Sequence, residues 1–240
     1  MIEAITFDFW NTLYRPAVAK PVRMRRLIET LEKNGLGVEP DRLEAADQIA
    51  RAEWNRAWVE DYRTLSAADW LKIMLDAVHV QLPASEFETL AHYFDRGLLE
   101  DKPGPTLVAG AAATLDRLSK RYRLGIISDS GLSSGQTLSN VLKRDDVLEY
   151  FTCLTYSDEI GVSKPHARAF TTTLNCLGVD PSHTVHIGDL VRTDIAGAQS
   201  IGMRAVRFAA IYDDPERAVE PDAVVFSFAE FEKWLASQFR

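Results

Sequence analysis

Cysteine is almost missing from this 240-residue chain, with Cys153 and Cys176 its only two. That number excludes a disulfide-built secreted scaffold, and neither cysteine has a nearby zinc-ligand pattern. No apolar run approaches the ~18 residues that a membrane-crossing helix needs. No Asn-x-Ser/Thr acceptor occurs. The opening MIEAITFDFWNTL carries an acid at Glu3 and no basic stretch, unlike a secretory signal. Together these absences predict a cytoplasmic protein with reduced thiols. Positive charge is also short, since 27 Lys and Arg against 35 Asp and Glu leave −8. A nucleic-acid binder shows a basic face, so neither nucleic acid nor a membrane is an expected partner. An anionic ligand would need positive charge supplied inside its own site.

What is present is an ordinary globular composition, 46% hydrophobic and 26% charged. The length suits one large domain, or a core carrying a smaller insert. Ile2 to Phe7 reads as a buried strand closed by Asp8. From Arg15 to Asp101 apolar residues recur at helical spacing, as in Leu27, Leu31, Trp54, Trp58, Trp70, Leu71 and Met74. Three to five amphipathic helices are expected there, with no strand between them. After Lys102-Pro103-Gly104-Pro105 strands and helices alternate. Helices are expected at 107–118, 132–142, 166–177, 191–200 and 229–238, and strands at 123–127, 151–156, 184–187, 203–208 and 223–226. Alternation of this kind implies a doubly wound parallel sheet, a Rossmann-like α/β core. Residues 1–14 and 102–240 would form that core and 15–101 an inserted all-helical cap.

Three of the expected strands end on polar residues. Ile5-Thr6-Phe7 leads to Asp8, Leu124 to Ile127 leads to Ser128, and Val185 to Gly188 leads to Asp189. A parallel sheet puts all three at its carboxyl edge, where open α/β sheets bind ligands. Lys164 lies just past another strand, and Asp194 follows Asp189 within a turn. Three carboxylates, a hydroxyl and an ammonium on one edge suit phosphoryl transfer. A carboxylate can attack phosphorus, hard oxygens suit Mg²⁺, and lysine and metal neutralise the transferring group. The carboxylates bring −3 and Lys164 with Mg²⁺ brings +3, so an occupied site is neutral despite the acidic exterior.

The chain here resembles the haloacid dehalogenase-like hydrolase superfamily, in its branch with a helical cap after the first strand. Phe7-Asp8-Phe9-Trp10-Asn11-Thr12-Leu13 resembles the nucleophile motif, and Ile126-Ile127-Ser128-Asp129-Ser130 the phosphate-binding motif. Ser163-Lys164-Pro165 resembles the lysine motif. His186 to Asp189, continuing through Asp194 to Ala198, resembles the acidic metal motif. The resemblance implies Mg²⁺-dependent hydrolysis of a small phosphorylated metabolite through an aspartyl-phosphate. It implies Asp8, Ser128 and Lys164 as catalytic residues. Asp8, Asp189 and the backbone carbonyl of Trp10 would hold Mg²⁺, and Asp129 and Asp194 would support the site.

Trp10 departs from the family pattern, because phosphatases of the family carry an acid–base aspartate there. An aromatic residue at this position resembles the family's 2-haloacid dehalogenases, which need no metal. Those enzymes lack the acidic pair that Asp189 and Asp194 supply, so phosphate chemistry is favoured over halide. A non-catalytic phosphometabolite-binding protein of the same fold is the other alternative. Lys20 and Lys72 are the cap lysines open to a role like that in phosphonate-cleaving members. Trp54, Trp58 and Trp70 read as helix-packing residues and His186 as a hydrogen-bonded core residue. Arg15, Lys20, Arg23, Arg25 and Arg26 read as a solvated basic helix face, with a collar attracting an anionic substrate into the cleft as the alternative.

Overall fold

The computed structural model describes residues 1–17, 19–100 and 104–238. Strand β1 is Ala4–Phe7, with all four residues buried. A short β2, Tyr14–Arg15, precedes four helices: α1 (Lys20–Lys33), α2 (Pro40–Val59), α3 (Ala67–Ala77) and α4 (Ala84–Glu100). The chain returns through β3 (Thr106–Leu107), which pairs antiparallel with β2. Then follow α5 (Ala111–Ser119), β4 (Arg123–Ser128), α6 (Gly135–Arg144), β5 (Cys153–Tyr156), α7 (Ser157–Ile160) and α8 (Ala167–Leu177). Strand β6 (Thr184–Gly188), a π-helical turn (Val191–Ile195), α9 (Ala196–Ser200), β7 (Arg204–Phe208), β8 (Ala223–Val225) and α10 (Phe228–Ser237) complete it. The expected break at Lys102-Pro103, and with it the boundary at residues 101 and 102, lies outside the described residues.

Six strands form one parallel sheet in the order β5-β4-β1-β6-β7-β8. Helices cover both faces, which is why β1, β4 and β6 read as nearly unbroken apolar runs. Phe7 registers with Ile126 of β4 on one side and Ile187 of β6 on the other. Strand order therefore reverses around β1, and the crevice at that reversal is where ligands of such sheets sit. Phe7, Ile126, Ile187, Phe208 and Phe231 belong to the main core. Helices α1 to α4 close around their own cluster, which includes Leu27, Leu31, Leu71, Met74 and Phe94. Among the described residues no helix is long and apolar enough to cross a membrane.

Several expected boundaries shift for local reasons. The helix expected from Leu107 starts at Ala111, because Gly110 adopts φ +84 and Thr106–Leu107 is taken by the pairing with β2. The helix expected from Leu132 starts at Gly135, where the Ser134 hydroxyl caps the Thr137 amide. The segment expected as one helix from Val191 opens instead as the π-helical turn. The expectation of reduced thiols is overturned as well. Cys153 and Cys176 form a disulfide across a Cα–Cα distance of 6.1 Å. Packing of α8 on β5 brings together two residues 23 apart in sequence, which no spacing rule could show.

Candidate active site

Asp8 is the first residue past β1, and its amide still donates to the Ile187 carbonyl at 2.9 Å. The backbone is thus held by β6 where the side chain leaves the sheet. Lys164 arrives from the loop before α8. Its Nζ donates to Asp8 Oδ1 at 2.5 Å and to Asp194 Oδ1 at 2.6 Å. Asp8, Lys164 and Asp194 are 6%, 2% and 1% exposed. A charge so buried persists only when paired. Burial works against the Lys164 ammonium, but the Asp194 and Asp8 carboxylates raise its pKa well above the ordinary lysine value.

The π-helical turn folds Asp194 back over Gly188. A Cβ on residue 188 would stand 2.3 Å from Asp194 Cγ, so only glycine fits. Asp194 Oδ2 accepts the Leu190 amide at 2.9 Å, and Oδ1 also meets His186 Nε2 at 3.1 Å. His186 is fully buried, and that burial lowers its pKa, leaving a neutral ring. Its Nε2–H then donates to Asp194, and the Thr6 hydroxyl donates to Nδ1 at 2.9 Å. Burial also penalises the Asp194 charge, yet Lys164 and His186 overcome it and hold the carboxyl far below its ordinary range. His186 is the core residue the sequence suggested, but its link to the site was missed. Period-two alternation, which sets His186 and Gly188 on one face of β6, was the available signal.

Asp189 lies beside Asp8, 3% exposed, and its Oδ2 accepts from Asn11 Nδ2 at 3.1 Å. Asn11 was not foreseen as a site residue. It holds φ +55 in the turn after Asp8, a conformation Asn tolerates better than most residues. Burial pushes the Asp8 carboxyl up to about 7. Burial, with the neighbouring Asp8 and Asp194 charges, pushes Asp189 up to about 9. Asp129 accepts the Lys164 amide on Oδ1 at 2.9 Å and the Trp58 indole on Oδ2 at 2.8 Å. Burial raises its pKa too, against those hydrogen bonds.

A cavity of about 160 Å³ gathers Asp8, Asp129, Lys164, Asp189 and Asp194, with Trp10 on its wall. Trp54 and Trp58 line it as well; Trp54 also packs against the helical cluster, as expected, whereas Trp58 does not. The two rings stack at 5.3 Å, and the Arg192 guanidinium sits 4.2 Å over Trp58. Only Trp70 is buried in the helical cluster. Helical spacing placed all three on helices but carried no information about which face meets the core. Ser128 ends β4, buried, with its hydroxyl 3.5 Å from the Asp129 carbonyl, and does not line the cavity. Lys20 pairs with Glu44 and Asp47, and Lys72 with Asp76, so neither reaches Asp8.

The donor set discriminates among metals. Among the described residues no three His, Cys, Asp or Glu side chains converge as a metal cage, the arrangement a structural zinc requires. The Asp8 and Asp189 carboxylates offer hard oxygens, and Mg²⁺ takes one or two carboxylates with waters and phosphate oxygens. Three buried carboxylates and the half-buried Asp129 face a single lysine, so the cavity lacks positive charge. The residues present fit Mg²⁺.

A Rossmann-like sheet with a buried, lysine-paired aspartate at its switch point and helices inserted above defines a capped α/β hydrolase. The chain belongs to the haloacid dehalogenase-like hydrolase family, which it matches over residues 2–202. It is 37% identical over 215 residues to the glyceraldehyde 3-phosphate phosphatase of Pyrococcus furiosus, covering 86% of this chain and 80% of that one. A 2-haloacid dehalogenase of Pseudomonas syringae shares the fold, with a TM-score of 0.71 at 22% identity over 99% of this chain and all of the other. A haloacid dehalogenase-type phosphatase of Thermococcus onnurineus does so with 0.67 at 22% identity over 98% of each.

Proposed function

We propose that this protein is a Mg²⁺-dependent phosphatase of small phosphate monoesters. The observation that carries the reading is the buried Asp8 carboxylate, paired with Lys164 at 2.5 Å and flanked by Asp189. The likeness to a relative named as a phosphatase of glyceraldehyde 3-phosphate supports the same class of substrate. We read residues 1–14 and 102–240 as the core and 15–101 as the cap, a division the separate hydrophobic clusters support.

In this mechanism Asp8 attacks phosphorus, the bond to the leaving oxygen breaks, and an aspartyl-phosphate forms on Asp8. Water then hydrolyses it, releasing phosphate and restoring the carboxylate. Lys164 holds the transferring oxygens, and Asp194 keeps Lys164 charged and in place. Asp8, Asp189 and the Trp10 carbonyl would hold Mg²⁺, which when bound neutralises charge on the phosphoryl group. Asp129 fixes the Lys164 backbone and receives Trp58 from the cap. Trp10 cannot donate a proton, so the leaving group departs without an acid from that position. Esters of low leaving-group pKa, such as aryl phosphates, are therefore the better substrates.

The test is a substrate panel with and without Mg²⁺, with Asp8→Asn as control. Phosphate release should need the metal and fall at least about 10³-fold in the variant. Halide release from 2-haloacids without Mg²⁺ would replace this reading with the dehalogenase one. Turnover of nothing would leave a phosphometabolite-binding protein.

A further inference from the structure

A second cavity adjoins the one around Asp8. It encloses about 380 Å³ between the cap helices and the loop after β4, and Trp54 lines both spaces. Its charged lining is Lys20, Arg23 and Arg51 against Asp47, three cations to one carboxylate, a formal +2. That sign is opposite to the chain's −8 and to the carboxylate-rich cavity next door. Met24, Trp70, Phe94 and Leu132 supply an apolar lining.

The cations differ in how they are held. Lys20 is committed to Glu44 at 2.6 Å and Asp47 at 2.8 Å. Arg51 reaches Asp47 only at 3.8 Å, and its guanidinium stands 5.7 Å from the Trp70 ring centre with 56% of its side chain exposed. It can turn a fork of donors toward an anion without breaking a short ion pair. Trp54 adds an independent sign of a missing partner. Its indole nitrogen is buried and has no hydrogen-bond partner among the described residues. An indole N–H can only donate, so what it lacks is an acceptor. Leaving a buried donor unmade is costly, and a small turn of the ring toward the cavities it lines would let a ligand oxygen accept from it.

We propose that this second cavity receives the leaving group of the substrate, and that the leaving group carries its own anionic group, a carboxylate or a second phosphate, recognised by Arg51 and Arg23. The inference rests on the phosphatase reading of the first cavity. Phosphate would sit at Asp8 and Lys164, the body of the leaving group against Trp54, and the second anion beyond it at the arginines.

The test compares three aryl phosphates of similar leaving-group acidity: 4-methylphenyl, 4-(carboxymethyl)phenyl and 4-(2-aminoethyl)phenyl phosphate. The carboxylate ester should have a KM at least about tenfold below that of the methyl ester, the worth of one charge-assisted hydrogen bond. Arg51→Glu should reverse the order and favour the ammonium ester, which mere loss of packing would not do. The same preference should appear as a difference in Kd for the Asp8→Asn variant, measured calorimetrically. Equal affinity of that variant for the carboxylate and methyl esters overturns the proposal, whatever the turnover. Preferential binding with no phosphate released by the native protein would sink the phosphatase reading and leave the anion site standing.

Discussion

In the phosphatase reading, Trp10 is the residue on which the rate should turn. A positioned acid–base group contributes ~10²–10⁴ in rate, so Trp10→Asp should raise turnover of alkyl phosphates by about that range. Aryl phosphates should gain much less. An unchanged alkyl rate in a variant that folds normally would mean that proton transfer is handled elsewhere. Asp189 leads to a stability prediction. Its carboxyl is held up to about 9, against 3.8 ordinarily. Between those values the folded chain keeps a proton the unfolded chain has released, so stability falls as pH rises through the window. Asp189→Asn removes that titration. The metal-free variant should exceed the native protein by at least about 1 kcal/mol at pH 8, or about 2–4 °C in melting temperature, and by little at pH 4. Melting curves in chelator at the two pH values check this. Asp8 and Asp189 were legible as residues because each stands at a strand end, and Lys164 because it precedes a proline in the loop before a helix. Asn11 and His186 were not, because their contacts to Asp189 and Asp194 span 178 and 8 residues of sequence and depend on the close of the sheet.

Among the elements, α2 and α8 matter most to the site. Helix α2 carries Trp54 and Trp58 down to the cavity and hands an indole N–H to Asp129. The periodicity that defines α2 as a helix is satisfied whichever neighbour its tryptophans meet. Helix α8 is tied to β5 by the Cys153–Cys176 bond, closing a loop of 23 residues of sequence separation that contains Lys164. A loop of that length restricts the unfolded chain by about 3 kcal/mol on the chain-entropy account. Cys176→Ser should lose a comparable stability in urea titrations run without reductant. Reductant should destabilise the native protein and leave the variant unaffected. Two free thiols per native chain under non-reducing denaturation would refute the bond.

On the scale of the whole molecule, the site is a carboxylate-rich hollow in an acidic protein, balanced by one buried lysine. If the proposed Mg²⁺ site is right, its like charges oppose one another until the cation arrives, so metal binding and stability should be linked. Mg²⁺ should raise the melting temperature, and by more at pH 8 than at pH 6. The carboxyls held at about 7 and about 9 must shed their protons before the ion can bind. Chelator should abolish both the shift and the activity, and a shift independent of pH would argue that the ion binds elsewhere. The sequence alone determined the alternating core, the helical insert and the strand-end row of Asp8, Ser128 and Asp189, because strand and helix periods and the residues that end them are local properties. It also determined the family, because the motifs stand in order along the chain. Only the tertiary structure decided that Cys153 meets Cys176, that Asp194 serves Lys164, and that Trp54 and Trp58 close over Asp8. These outcomes depend on the angle at which one element packs on another, and a residue pattern read along one chain segment does not contain that angle.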